Sequence, residues 1–134
     1  MEQKTVILVV DDEIDTLELT ELILSSEGFE VWTADSGPAA LAILERGKGD
    51  EEKQVPDLIL LDMKMPTMDG LAVCRKIRTS LDPKIASLVV IMFSARDSPE
   101  YVQEAKEAGA QDLITKPFDF DNLIERVNMH VKKQ

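Results

Sequence analysis

PDLILLDMKMPTMDG, residues 56–70, is the stretch on which the fold turns. Its first half holds a continuous apolar run, Leu58-Ile59-Leu60-Leu61. Such a run is too short for a helix and suits a strand covered on both faces, as in a parallel sheet. It stops at Asp62. A carboxylate just past the last buried residue of a strand sits at the carboxyl edge of the sheet, where open α/β folds place their chemistry. Pro66 and Gly70 then mark a loop ahead of a helical pattern. Taken alone, Asp62 suits a strand-end turn equally well.

The same grammar recurs on both sides. Residues 5–10 (TVILVV) read as a buried β-branched strand that ends in Asp11-Asp12, with Glu13 next. From Ile14 the period becomes helical, with Ile14, Leu17, Leu19, Leu22, Ile23 and Leu24 forming a wide apolar face and Ser25, Ser26 and Gly28 closing the helix. Residues 29–34 (FEVWTA) alternate like a less buried strand, and Asp35 or Ser36 can cap a second helix carrying Ala39 to Leu44. Residues 47–54 (GKGDEEKQ) read as a solvated loop.

Beyond the central strand, Leu71, Val73, Cys74 and Ile77 give a third helix, which Asp82-Pro83 ends or follows. Residues 88–93 (LVVIMF) form another buried run, ending in Ser94. Asp97 or Ser98 with Pro99 begins a fourth helix, since proline is preferred in a first turn, and Gly109 terminates it. Residues 112–115 (DLIT) give a short fifth strand running into Lys116, and Asp119 or Asp121 caps a last helix through Leu123, Ile124, Val127 and Val131. Five strands alternating with five helices mean a parallel sheet with right-handed crossovers and helices on both faces. Four strand ends then deliver Asp11-Asp12, Asp62, Ser94 and Lys116 to one edge, which turn chemistry alone explains poorly.

The totals agree with one α/β domain spanning 1–134. Hydrophobic residues make up 44%, enough for a core, and the net charge of −11 argues against nucleic acid as a direct partner. The single cysteine, Cys74, excludes an internal disulfide and sits in an apolar helical pattern, as a buried small hydrophobe does. No run approaches membrane-spanning length, and the apolar residues 6–10 meet Asp11-Asp12 too soon for a signal peptide. A cytoplasmic protein without a membrane partner is expected.

Crowded carboxylates repel: at ~5 Å and an effective dielectric of ~20, each pair costs roughly 3 kcal/mol before screening. Such a cluster calls for protonation or a cation. All-oxygen donors, few of them from protein, suit Mg²⁺, which keeps several waters and bridges to phosphate. Zinc is poorly supported, because the one histidine, His130, lies far along the last helix. A carboxylate beside Mg²⁺ is also a nucleophile for phosphorus. The Lys116 ammonium and Ser94 hydroxyl, with the metal, could then share the charge on the transferring phosphoryl group.

VVDD at the first strand, LLDMKMPTMDG around Asp62, Ser94-Ala95 and TKPF at 115–118 together resemble the receiver domains of two-component response regulators. The likeness runs in order along essentially the whole chain. It implies a doubly wound, CheY-like, flavodoxin-like fold with strand order 2-1-3-4-5. It implies that Asp62 accepts a phosphoryl group from a histidine kinase or phosphotransfer protein, in a phosphoacceptor signalling domain with its own phosphotransfer and autodephosphorylation chemistry rather than a metabolic enzyme. Asp12, Asp62 and the backbone carbonyl of Lys64 would bind Mg²⁺ directly, and Asp11 through water. Ser94 and Lys116 would contact the phosphoryl group, and the Lys116–Pro117 bond would be cis. The fourth helix, fifth strand and fifth helix would form the signalling face, toward a downstream protein target or an output domain beyond Gln134.

The chain departs from the family at Leu113, where an aromatic switch residue is common. Lys64 and Arg96 stand where the family varies and tunes phosphoryl lifetime, and the 47–54 loop is long. Two other classes compete. An aspartyl-nucleophile phosphatase usually carries a second acid two residues on, where this chain has Lys64. A docking module that has abandoned phosphorylation would have lost Asp62 or Lys116, and both are present.

Overall fold

The computed structural model describes residues 4–46, 54–96 and 98–131. In chain order the elements are β1 (Val6–Val10), α1 (Ile14–Ser26), β2 (Glu30–Ala34), α2 (Gly37–Arg46), β3 (Leu58–Asp62), α3 (Gly70–Arg78), α4 (Pro83–Ala86), β4 (Val89–Ser94), α5 (Pro99–Ala108), β5 (Asp112–Thr115) and α6 (Phe120–His130). The strands form one five-stranded parallel sheet in the order β2-β1-β3-β4-β5. That is the doubly wound arrangement expected.

The central strands are apolar throughout because both faces are covered. Successive side chains point to opposite faces. Leu8, Val10, Ile59, Leu61, Val90 and Met92 pack on one side with Leu44 of α2, Val73 and Ile77 of α3, and Ala105 and Ala108 of α5. Ile7, Val9, Leu58, Leu60, Ile91 and Phe93 pack on the other with Leu17, Ile23 and Leu24 of α1, and Leu123 and Val127 of α6. The edge strand β2 alternates, with Trp32 and Ala34 buried and Glu30 exposed. Cys74 is fully buried, as a hydrophobe would be.

Local chemistry sets the ends of the helices. Ser36 Oγ accepts from Ala39 N at 3.2 Å, Asp69 from Ala72 N at 2.9 Å, and Asp119 from Asn122 N at 2.7 Å. Ser98 takes the N-cap position of α5 but its hydroxyl makes no capping bond. Gly109, at φ 108°, ends α5 in the left-handed conformation that glycine tolerates.

Three expectations need correction. Asp82-Pro83 follows α3, one of the two arrangements expected, but the count of five helices is short: Asp82 accepts from Lys84 N at 2.9 Å and opens a separate single turn, α4, so the described chain has six helical segments. Strands β3 and β4 run one residue further than their apolar runs: Asp62 and Ser94 are themselves ladder residues, paired with Phe93 and Thr115. The apolar face of α1 is narrower than its composition implied, since Ile14, Leu19 and Leu22 are exposed. A 3.6-residue period leaves room for only one arc against the sheet. Of the polar loop 47–54, only Gln54 lies within the described residues.

Arg78 joins the elements on the α3 side. Its Nε and Nη2 donate to Gly109 O at 3.0 and 2.7 Å, Nη1 to Ala86 O at 2.9 Å, and Nη2 to Gln111 Oε1 at 3.0 Å. Helix-terminal carbonyls are thereby satisfied by one planar fork. No helix among the described residues is long and apolar enough to cross a membrane.

Candidate functional site

At the carboxyl edge of the sheet, β1 ends in Asp11 and Asp12, β3 in Asp62, β4 in Ser94, and β5 runs into Lys116. Parallel strands put equivalent ends on one edge, so residues up to 105 positions apart meet there. Asp11, Asp12 and Asp62 each offer a carboxylate oxygen within 4.8 Å of the others. Asp11 and Asp62 are 0% and 5% exposed, whereas Asp12 faces solvent.

Lys116 is the counter-charge. Its Nζ donates to Asp11 Oδ2 at 2.8 Å and Glu13 Oε1 at 3.3 Å, and lies 3.4 Å from Asp62 Oδ2. Phe93 lies beneath the ammonium, 6.0 Å from ring centroid to Nζ, and stacks on Phe118 at 5.2 Å. The chain between Lys116 and Phe118 turns at a cis Lys116–Pro117 bond. Lys116 N donates to Ser94 O at 2.7 Å, which ties the fifth strand end to the fourth.

The carboxylates differ in what they have left to offer. Asp11 accepts from Glu13 N at 2.9 Å and from Lys116, so both its oxygens are engaged. Asp62 Oδ1 accepts from Lys64 N at 3.3 Å. Among the described residues Asp12 has no hydrogen-bond or ion-pair partner. Burial pushes the Asp62 carboxyl up to about 7, helped by the Asp11 charge and opposed by Lys116. Burial alone would lower Lys116, but its bonds to Asp11 and the charges of Asp62 and Asp11 raise it above the ordinary lysine value. One ammonium thus serves Asp11, Glu13 and Asp62, with Asp12 left beside them, and the edge has negative charge to spare.

The donor set fits Mg²⁺. It is all oxygen, it includes a free carboxylate at Asp12, and it leaves open sides for water. The Lys64 side chain is exposed, while its backbone stays beside Asp62 through its N–H. Gly70 keeps the strand end in place: a Cβ there would overlap the Asp62 carbonyl oxygen and lie 3.0 Å from Met63 Cα. Thr67, in the same loop, takes a left-handed φ of 70°, which a β-branched residue rarely adopts.

The edge therefore gathers Asp11, Asp12, Asp62, Ser94, Lys116 and the Lys64 backbone. Two participants carry no sequence signal of a role: Glu13, although it directly follows the acidic pair, and the Phe93–Phe118 stack, whose partners come together only through the sheet. Away from the edge, Arg126 Nε donates to Asp112 Oδ2 at 2.8 Å, a second guanidinium nitrogen pairs with Asp112 Oδ1, and His130 Nε2 lies 2.9 Å from Asp112 Oδ2. His130 is thus occupied beside β5, outside the carboxylate cluster. Leu113 is half-buried against the core.

Known proteins share this architecture and part of its sequence. The chain is 42% identical over 121 residues to the response regulator PleD of Caulobacter vibrioides, a match covering 90% of the chain and 25% of PleD. The chain thus spans about a quarter of the length of that relative. The chemotaxis protein CheY4 of Vibrio cholerae superposes with a TM-score of 0.85 at 28% identity, covering 96% of this chain and all of the other. The receiver domain of NtrX from Brucella abortus does so with a TM-score of 0.80 at 35% identity, covering 96% and 99%. Residues 7–128 match the family of response regulator receiver domains, and on that match the chain belongs to it.

Proposed function

We propose that this receiver domain is a phosphorylation-dependent switch in which Asp62 accepts a phosphoryl group from a histidine kinase or a histidine phosphotransfer protein. The observation that carries the reading is the position of Asp62: a buried strand-end carboxylate with Lys116 at 3.4 Å and Asp11 and Asp12 beside it. An Asp62 oxygen attacks phosphorus in line with the departing nitrogen of the donor histidine. The new P–O bond gives an aspartyl phosphate, and the breaking P–N bond returns imidazole to the donor.

Asp12, Asp62 and the Lys64 carbonyl would hold Mg²⁺, with Asp11 reaching it through water. When bound, the ion neutralises charge on the carboxylates and the equatorial phosphoryl oxygens. Lys116 supplies a second positive charge, already held toward Asp62 by Asp11 and Glu13. The Ser94 hydroxyl, 3% exposed at the end of β4, donates to a phosphoryl oxygen. Water attacking the same phosphorus later returns Asp62 to the carboxylate. The chain is thus a signalling phosphoacceptor rather than a metabolic enzyme. Its output passes across the α5–β5–α6 face to a downstream protein or an output domain in the cytoplasm, without direct nucleic-acid or membrane contact.

Intact mass after incubation with Mg²⁺ and acetyl phosphate tests this. Wild type gains one labile phosphate and Asp62→Asn gains none. Phosphate on Ser94 or His130 would sink the assignment.

A further inference from the structure

Arg96 follows two residues after Ser94 at the acidic edge, yet forms no ion pair among the described residues. Its backbone N–H donates to Ser94 Oγ at 3.1 Å, which fixes the residue at the end of β4. Its guanidinium lies 5.9 Å from the centroid of the Tyr101 ring, in the first turn of α5. Tyr101 is half-buried and packs against the core on the α3–α5 side of the sheet, so the ring is seated on the core. Asp11, Glu13 and Asp62 meanwhile share the ammonium of Lys116, and Asp12 beside them has no ion-pair partner among the described residues. A second, long-armed cation tethered at Ser94 is drawn toward that field, and guanidinium forks bind carboxylates in bidentate fashion. A cation over an aromatic face is held there by the ring quadrupole.

We propose that Tyr101 is a positioning residue: its ring holds the Arg96 guanidinium over α5 and off the Asp11–Asp12–Asp62 cluster, leaving those carboxylates open to a divalent cation. The inference rests on the Mg²⁺ site proposed above and adds a residue outside it. Without the ring, Arg96 becomes an internal competitor of the metal. An exposed cation–π contact biases the guanidinium by about 2- to 5-fold, which sets the scale of the effect.

The test is calorimetric titration of the full chain with Mg²⁺ at low ionic strength. The variants are Tyr101→Leu, Tyr101→Phe, Arg96→Ala and Arg96→Ala/Tyr101→Leu. Tyr101→Leu is expected to weaken Mg²⁺ binding by about 2- to 5-fold. Tyr101→Phe, which keeps the ring, binds like wild type. In the Arg96→Ala background, removing Tyr101 changes nothing. The inference is overturned by wild-type affinity in Tyr101→Leu, by equal weakening with and without Arg96, or by a Tyr101→Phe that behaves like Tyr101→Leu. If Tyr101→Leu does not fold, Tyr101→Met is read in its place. Wild type that takes up no Mg²⁺ overturns the metal site itself and this inference with it, whereas normal wild-type binding with an unaffected Tyr101→Leu overturns this inference alone.

Discussion

Lys116 donates to Asp11 at 2.8 Å across 105 positions of sequence. Asp11 is fully buried, so this bond gives a buried polar group the partner it needs. The same ammonium reaches Asp62 at 3.4 Å, which makes Lys116 both a structural counter-ion and the nearest cation to the proposed acceptor.

Lys116→Met should therefore destabilise the metal-free protein by about 2 kcal/mol, because a buried charge loses its partner. Mg²⁺ should recover part of the loss by binding the same carboxylates. Denaturant unfolding in chelator and in millimolar-range Mg²⁺ checks both points, and equal losses under the two conditions would contradict the shared-cation picture.

The Asp62 carboxyl is pushed up to about 7 from 3.8 by burial and by Asp11, against the pull of Lys116. An acid whose folded pKa lies above its unfolded value binds protons more tightly when folded. Its contribution therefore favours folding at low pH and declines as pH rises from about 4 to about 7, with a slope of at most about 1.4 kcal/mol per pH unit. Metal-free wild type should lose stability over that window relative to Asp62→Asn, which carries no charge there. Unfolding free energies at pH 5 and pH 8 in chelator should show Asp62→Asn gaining on wild type at the higher pH.

Asp112 has the opposite sign. Burial raises its carboxyl, but hydrogen bonds from Arg126, His130 and Leu113 N outweigh burial and bring it down to about 2. A lowered carboxylate stabilises the fold above its unfolded pKa, and that contribution is lost as pH falls from about 4 toward 2. Arg126→Met should cost about 1–3 kcal/mol at neutral pH and little at pH 2, where Asp112 is protonating in both proteins. A pH-independent loss would mean that the Arg126 stem, rather than its charge, is what β5 and α6 require.

Gly70 has no space for a side chain against the Asp62 carbonyl and Met63 Cα, both of them backbone. Gly70→Ala must therefore displace the end of β3 or the start of α3, at about 1–3 kcal/mol. Because the displaced segment carries Asp62, the yield of the acetyl phosphate adduct should also fall. Full stability with a full adduct would show that the loop yields freely.

Much of this molecule was legible as a string. The apolar runs at 58–61 and 88–93 suited strands covered on both sides, and each stopped at a polar residue. Strands alternating with helical patterns set the parallel sheet, and a parallel sheet brings equivalent strand ends to one edge. Asp11, Asp12, Asp62, Ser94 and Lys116 could thus be grouped before any distance was known. These features are local or follow from topology, and period and composition encode them directly.

Tertiary structure decided what depends on direction and reach. The period of α1 made Ile14, Leu19 and Leu22 look like its apolar face, yet only the arc through Leu17, Ile23 and Leu24 meets the sheet. Nothing in the sequence says that Arg78 gathers carbonyls from α4 and the end of α5, that Arg126 and His130 converge on Asp112, or that Arg96 lies over Tyr101. Long flexible side chains select partners by the three-dimensional field around them, and neighbours in the chain do not fix that field. The sequence alone determined which groups stand at the edge of the sheet; the packed structure determined which charges neutralise one another there and which carboxylate remains free.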